Sequence, residues 1–385
     1  MRTLLKVTVA VLLANFLGML LYVSINSFVL REQNHRLRNW FHDGSTIKSD
    51  QKSDYRSLAY QKALRYIELI KRDFLLDGML VNKEISGEAI DLCDSLLFSS
   101  LYFTSLFKIG LIDEANQVWH SIENSNTSGQ WLRHPKCHNK PASRDMILGL
   151  FVAFSQDAAN TESHLSNLIH SVAEHRGFFS NGTFDVSYLA PGVSEFFRIL
   201  AEGNKINKNE ITKLPYAFST SEFSALTTTI GYRSHLVALQ LWLEMELKNS
   251  KKYNPYLPVR SPVSYIRGIF ENIEQILEKD RINWISQTLF NQDPDNLFYK
   301  FLRLKSADAL SRHSKNQLLA ELLMMPQFPE NRLPENCDRK PDYLWQRPSP
   351  EYSTKEPYCT KTYNGVDYLW MAALLLENSE LPEAR

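Results

Sequence analysis

Six polar residues stand where an apolar segment begins. They are Asp94 (before Ser-Leu-Leu-Phe), Asp145 (Met-Ile-Leu), Glu195 (Phe-Phe), His235 (Leu-Val), Asn296 (Leu-Phe-Tyr) and Asp367 (Tyr-Leu-Trp). Asp and Asn at a helix start ordinarily cap it, worth about 1 kcal/mol each. Capping needs no His, Arg or aromatic neighbour, yet several of these openings have them. The loop Gly129-Gln130-Trp131-Leu132-Arg133-His134-Pro135-Lys136-Cys137-His138 leads to Ser143-Arg144-Asp145. Tyr232-Arg233-Ser234-His235 and Tyr363-Asn364-Gly365-Val366-Asp367 open two further segments. Brought together, paired carboxylates can protonate a leaving oxygen and activate a water. Histidine with tyrosine can instead move a proton beside an arginine-neutralised carboxylate.

Around Asp145, Ser143 is a natural N-cap, so Arg144 and Asp145 fall in the first helical turn. The helix dipole favours the aspartate there and disfavours the arginine. Arg144 therefore calls for a partner, either a carboxylate such as Asp94 or Asp367 or an anionic ligand. The stretch 326–359 is rich in proline and aromatics, including Trp345, and reads as an ordered lid. Trp131, Trp345 and Tyr363 suit stacking on sugar faces. His134 and His138 are four apart, but Pro135 between them predicts a loop, so no metal site is expected. The signatures of serine hydrolases, zincins, nucleotide-binding loops and EF-hands are absent, and no cofactor is expected.

Elements must position these residues, and composition indicates which kind. The chain has 385 residues, with 43 Lys plus Arg against 43 Asp plus Glu, so the net charge is zero. That argues against nucleic acid as a partner, because a basic face is needed to neutralise phosphates. Only 14 residues are glycine, about half the usual share of roughly 7%. Few positive-φ turns follow, so the chain favours helices over hairpin-rich or phosphate-loop folds.

Two kinds of helix alternate. Stripes such as Tyr55, Leu58, Ala59, Ala63, Tyr66, Ile67, Ile70 and Phe74 are amphipathic. So are Leu165 to Val172, Ile266 to Leu277 and, more loosely, Ala307 to Leu322. Ser95 to Phe107, Met146 to Phe154, Leu236 to Leu243 and Tyr368 to Leu376 are apolar nearly all round. These runs are too short to span a bilayer, which takes about 20 residues. An inner ring of buried helices covered by an outer amphipathic ring explains the alternation. The expected fold is all-α, an α/α toroid of about six helical hairpins over residues 55–385. Stacked helical pairs of a solenoid are the rival, but no regular repeat is present. The inner helices of a toroid start at one end, so their polar openings would line one funnel.

Ahead of this body, Arg2 and Lys6 precede an uncharged run over 7–30, long enough for a hydrocarbon core of roughly 30 Å. It reads as a transmembrane signal anchor after a short cytoplasmic N-terminus (1–6), with a cleaved signal as the alternative. A polar linker, 31–54, follows. The body is then expected outside the cytoplasm. Four cysteines agree with export. Cys337 with Cys359 across the lid loop, and Cys93 with Cys137, make one of three pairings. Asn126-Thr127-Ser128 and Asn181-Gly182-Thr183 are glycosylation sequons.

The alternating rings and polar helix openings resemble the six-hairpin glycosidase-like superfamily. The resemblance is architectural and covers roughly 55–385, with no family catalytic signature matched residue by residue. It implies a glycan or other polar small ligand in the funnel. For a glycoside hydrolase the candidates are Asp94, Asp145 and Asp367, with Asp145 beside Arg144 suited to the base and Asp367 to the proton donor. Trp131, His134, Arg144, Arg233, His235, Trp345 and Tyr363 would contact substrate. A polysaccharide lyase would use His134 or His235 with Tyr232 or Tyr363, and Arg144 or Arg233 on a uronate. A non-catalytic glycan-binding or envelope-assembly protein would use the same funnel.

Overall fold

The computed structural model describes residues 54–84, 86–90, 94–127, 130–137, 142–156, 161–174, 232–249, 279–324, 361–362 and 364–377. Helices hold 75% of these, so the fold is all-α. The helices are α1 (Asp54–Leu69), α2 (Ser95–Lys108), α3 (Ile112–Glu123), α4 (Arg144–Phe154), α5 (Thr161–Glu174) and α6 (Tyr232–Asn249). They continue with α7 (279–292), α8 (Leu297–Ser306), α9 (Arg312–Met324) and α10 (Val366–Leu376). The run 7–30 and the stretches 177–184, 266–277 and 326–359 lie outside the described residues, as does the opening at Glu195. Among the described residues no helix is long and apolar enough to cross a membrane.

The two expected kinds of helix are both present. In α1, Ala59, Ala63, Tyr66 and Ile67 are buried while Gln61, Arg65 and Glu68 face water. The stripe continues to Phe74 as expected, but α1 ends at Leu69 and Ile70–Phe74 is a π-helical turn. In α2 every residue from Ser95 to Leu106 is buried, and in α10 all of them are. Hydroxyls fit inside α2 because they donate one turn back. Ser99, Ser100, Thr104 and Ser105 reach the carbonyls of Ser95, Leu96, Ser100 and Leu101 at 2.7–2.8 Å. Backbone acceptance removes the cost of burying them. The looser stripe over 307–322 is not one helix. α8 stops at Ser306, and Asp308 adopts φ 53° in the turn before α9.

Packing runs from neighbour to neighbour. α2 packs on α4, α4 on α6, and α6 on α8, while α10 packs on α2. α3 covers α2, and α1 and α9 cover α10. Gly149 lets α4 approach α2 closely, since a Cβ there would lie 3.0 Å from the Leu97 Cα. Trp370 of α10 meets Trp242 of α6 edge-on at 4.7 Å and Phe298 of α8 at 6.1 Å.

Contacts at both ends show that these helices run the same way. α6 and α8 join through Tyr299 to Ser234 at one end and Lys305 to Glu246 at the other. Lys108, Glu246 and Glu377 join the C-terminal ends of α2, α6 and α10. At their starts, α2 and α10 both bind the segment 80–82. Ser95 Oγ donates to Leu80 O at 2.8 Å and Asn364 Nδ2 to Asn82 Oδ1 at 2.8 Å. α4 follows α2: Gly149 meets Leu97, and Trp119 bridges Phe103 to Phe154.

Among the described residues, seven strands of two or three residues decorate the helices. β1 (Leu75–Leu76) and β2 (Met79–Leu80) form a hairpin turned by Asp77 and Gly78, with φ 51° and 77°. Two successive positive-φ residues are what a tight two-residue hairpin needs. β3 (Asn82–Glu84) lies between β4 (Ala89–Ile90) and β7 (Lys361–Thr362). β5 (Asn126–Thr127) pairs with β6 (Gln130–Trp131). Strands this short have no periodicity, which is why the sequence shows no sign of them.

Candidate functional site

The parallel run of α2, α4, α6, α8 and α10 puts Asp94, Asp145, His235, Asn296 and Asp367 at one end of the helix set. Their environments differ. Asp94 is the half-buried N-cap residue of α2 and makes no capping bond to the backbone. Asp145 is also half-buried, in the first turn of α4, and its Oδ1 accepts the Ser143 hydroxyl. α2 and α4 are packed neighbours with a common direction, and Asp94 and Asp145 precede the Leu97–Gly149 contact by about one turn each, which brings the two helix starts to a similar level.

Asp367 is placed differently. It is fully buried, and its Oδ1 accepts the Tyr368 amide at 2.8 Å. Gly365, at φ 83°, turns the chain into α10 just before it. Asn296 is a true N-cap: its Oδ1 accepts from Phe298 N at 3.0 Å and Tyr299 N at 3.3 Å. His235 is buried, with its ring 5.6 Å from that of Tyr299.

The 131–137 loop is held as framework. Trp131 is buried edge-on against His164 at 5.3 Å and Phe154 at 6.1 Å. A ring enclosed in this way is not available for stacking on a sugar in this conformation. His134 is buried with both ring nitrogens engaged by backbone. Nδ1 accepts the Lys136 amide at 2.9 Å, which leaves Nε2 as the protonated nitrogen facing Leu76 O at 3.3 Å. Cys137 is buried and disulfide-bonded; Cys93, Cys337 and Cys359, one of which is its partner, lie outside the described residues. Trp345 and Tyr363 also lie outside them. Arg144 opens α4 and Arg233 lies in the first turn of α6, but their side chains are outside them too.

Burial pushes the His134 imidazole below its ordinary value of 6.5, and the Leu76 carbonyl opposes this only in part. Protonation would also turn Nδ1 into a donor facing the Lys136 N–H. A depressed histidine value means that stability is complete above the ordinary histidine range and is lost as pH falls through it. We expect the wild-type chain to lose thermal stability on acidification from pH ~7 to ~5, and His134→Gln to flatten that slope. Melting curves at matched ionic strength check this; parallel slopes for the two chains would contradict it.

Two features were not foreseen from residue types. Asn364 donates its amide and side chain to Asn82 Oδ1 at 3.2 and 2.8 Å, while its own Oδ1 accepts Val366 N at 3.0 Å. This clasp joins segments 282 residues apart. Asn before Gly is a turn signal in sequence, but nothing there names Asn82. At the opposite end, Lys108, Glu246, Lys305 and Glu377 form a chain of ion pairs. Each is an ordinary charged residue near a helix end until the helices are assembled. No family model matches the chain, and no curated protein or solved structure matches it.

Proposed function

We propose that the chain is a membrane-anchored, extracytoplasmic glycoside hydrolase built on an α/α toroid of about six hairpins. Its site is the funnel where the buried helices begin. The observation that carries this reading is the common direction of five buried helices, with Asp94 and Asp145 level at the starts of two neighbours. α10, the last described helix, packs back on α2, which supports a ring. The disulfide at Cys137 supports export, because cysteines stay reduced in the cytosol. The span 7–30 is the anchor.

In the mechanism Asp145 is the base and Asp94 the proton donor, in place of the enclosed Asp367. Asp145 takes a proton from water as the water oxygen bonds to the anomeric carbon. Asp94 gives its proton to the departing glycosidic oxygen as the old carbon–oxygen bond breaks. Arg144 and Arg233 are the anion-recognising groups of this reading, for a glycan carrying carboxylates.

The test is release of reducing ends from neutral and uronic-acid-containing oligosaccharides by the full chain in detergent. Asp145→Asn should lower kcat by about 100-fold or more while leaving oligosaccharide binding intact. An unchanged kcat, or no turnover by the wild-type chain, overturns the hydrolase. Appearance of an ultraviolet-absorbing double bond in place of simple hydrolysis products would identify a lyase.

A further inference from the structure

We propose that Ser143 is a positioning residue for Asp145, fixing which carboxylate oxygen faces the funnel; this rests on the hydrolase reading above. Ser143 has the backbone of an ordinary N-cap, φ −83° and ψ 172°, and its carbonyl accepts Ile147 N at 2.9 Å to begin α4. In that geometry a serine hydroxyl usually accepts a backbone amide of the first turn. Here it makes no such bond and donates to Asp145 Oδ1 instead. The helix start therefore forgoes its cap, and the hydroxyl is committed to one carboxylate oxygen.

The consequence is geometric. A free aspartate at a helix start rotates about its terminal torsion and presents either oxygen. With Oδ1 occupied by Ser143, Oδ2 is left as the oxygen able to take a proton from water. The two other candidate carboxylates are placed differently. Asp367 uses its Oδ1 on the backbone of its own helix, and Asp94 is itself the cap residue.

The experiment compares Ser143→Ala and Ser143→Thr with the wild-type chain in the reducing-end assay, alongside Asp145→Asn and the double variant Ser143→Ala/Asp145→Asn. We expect Ser143→Ala to lower kcat about 10-fold or more with KM unchanged, because a base that swings loses its aligned geometry. Ser143→Thr, which keeps the hydroxyl, should restore most of it. The double variant should match Asp145→Asn alone. Melting temperature should barely move in Ser143→Ala, since no cap bond is removed. Wild-type kcat in Ser143→Ala overturns the positioning role alone. So does a stability loss typical of a lost cap with no rescue by threonine. Absence of turnover in the wild-type chain overturns the hydrolase and this role together.

Discussion

Replacing Trp370 by alanine should lower folding stability by about 3–5 kcal/mol, the range for emptying a buried tryptophan site. Trp370 is 1% exposed, in a helix with no solvent-facing side. Its ring is where three helices meet, with Trp242 of α6 at 4.7 Å and Phe298 of α8 at 6.1 Å, both edge-on. Edge-to-face aromatic contacts add about 0.5–1.5 kcal/mol beyond the buried area. α10 is packed by α1, α2 and α9 as well, so the site has little freedom to collapse and the cavity persists. Trp370→Phe, which keeps an aromatic ring, should cost less than half as much. Urea unfolding of the three chains measures this. A loss below about 1 kcal/mol for the alanine variant would mean that α10 is not part of the common core.

Lys108→Met is the second large effect, and its cause is electrostatic. The Lys108 side chain is 4% exposed, with Nζ 2.5 Å from Glu377 Oε1 and 3.7 Å from Glu246 Oε2. The same ammonium lies 5.5 Å from the Trp242 ring centroid. Both glutamates are at helix C-terminal ends, where the dipole disfavours negative charge. Removing the lysine leaves that repulsion with less compensation: Lys305 still pairs with Glu246, and Lys315 acts on both glutamates through the field alone. Breaking a buried pair costs roughly 3–5 kcal/mol. The glutamates are 24–30% exposed, so water screens part of it and about 2–3 kcal/mol is expected. Methionine keeps the stem's packing against Trp242, so the loss reports charge. Lys108→Met/Glu377→Gln should recover a portion, because it removes the carboxylate that has lost its direct ion pair. If the double variant is no better than the single one, the lattice is a set of independent surface pairs.

These two positions bracket what could be read from residue order. Trp370 lies in a stretch apolar on every side, and such a stretch can only be buried. Its burial follows from composition, and so do the low glycine content and the helical class. The same holds for α2, α4 and α6, whose apolar runs outnumber any single stripe. The N-cap of α4 was also legible, since Ser143 before Arg-Asp-Met is a local signal acting over one turn. Lys108, Glu246, Lys305 and Glu377 carry no such mark. Their pairing depends on which helices are neighbours and which way they point, and charged residues near helix ends occur in every helical protein.

The candidate site divides the same way. Residue types alone singled out Asp94, Asp145 and Asp367 as equivalent polar openings. Assembly made them unequal: Asp367 turned inward onto its own backbone, while Asp94 and Asp145 stayed half-buried on adjacent helices. Trp131 and His134 show the same limit from the other side. A tryptophan and a histidine in a loop before a buried helix carry the right chemistry for a ligand. The hairpin β5–β6 and the Leu76 carbonyl commit them to the framework instead. Local interactions act over three or four residues and are written in the order of the chain. Which face a side chain presents is settled by partners from distant segments, as Asn82 and Asn364 are, and no local pattern records them.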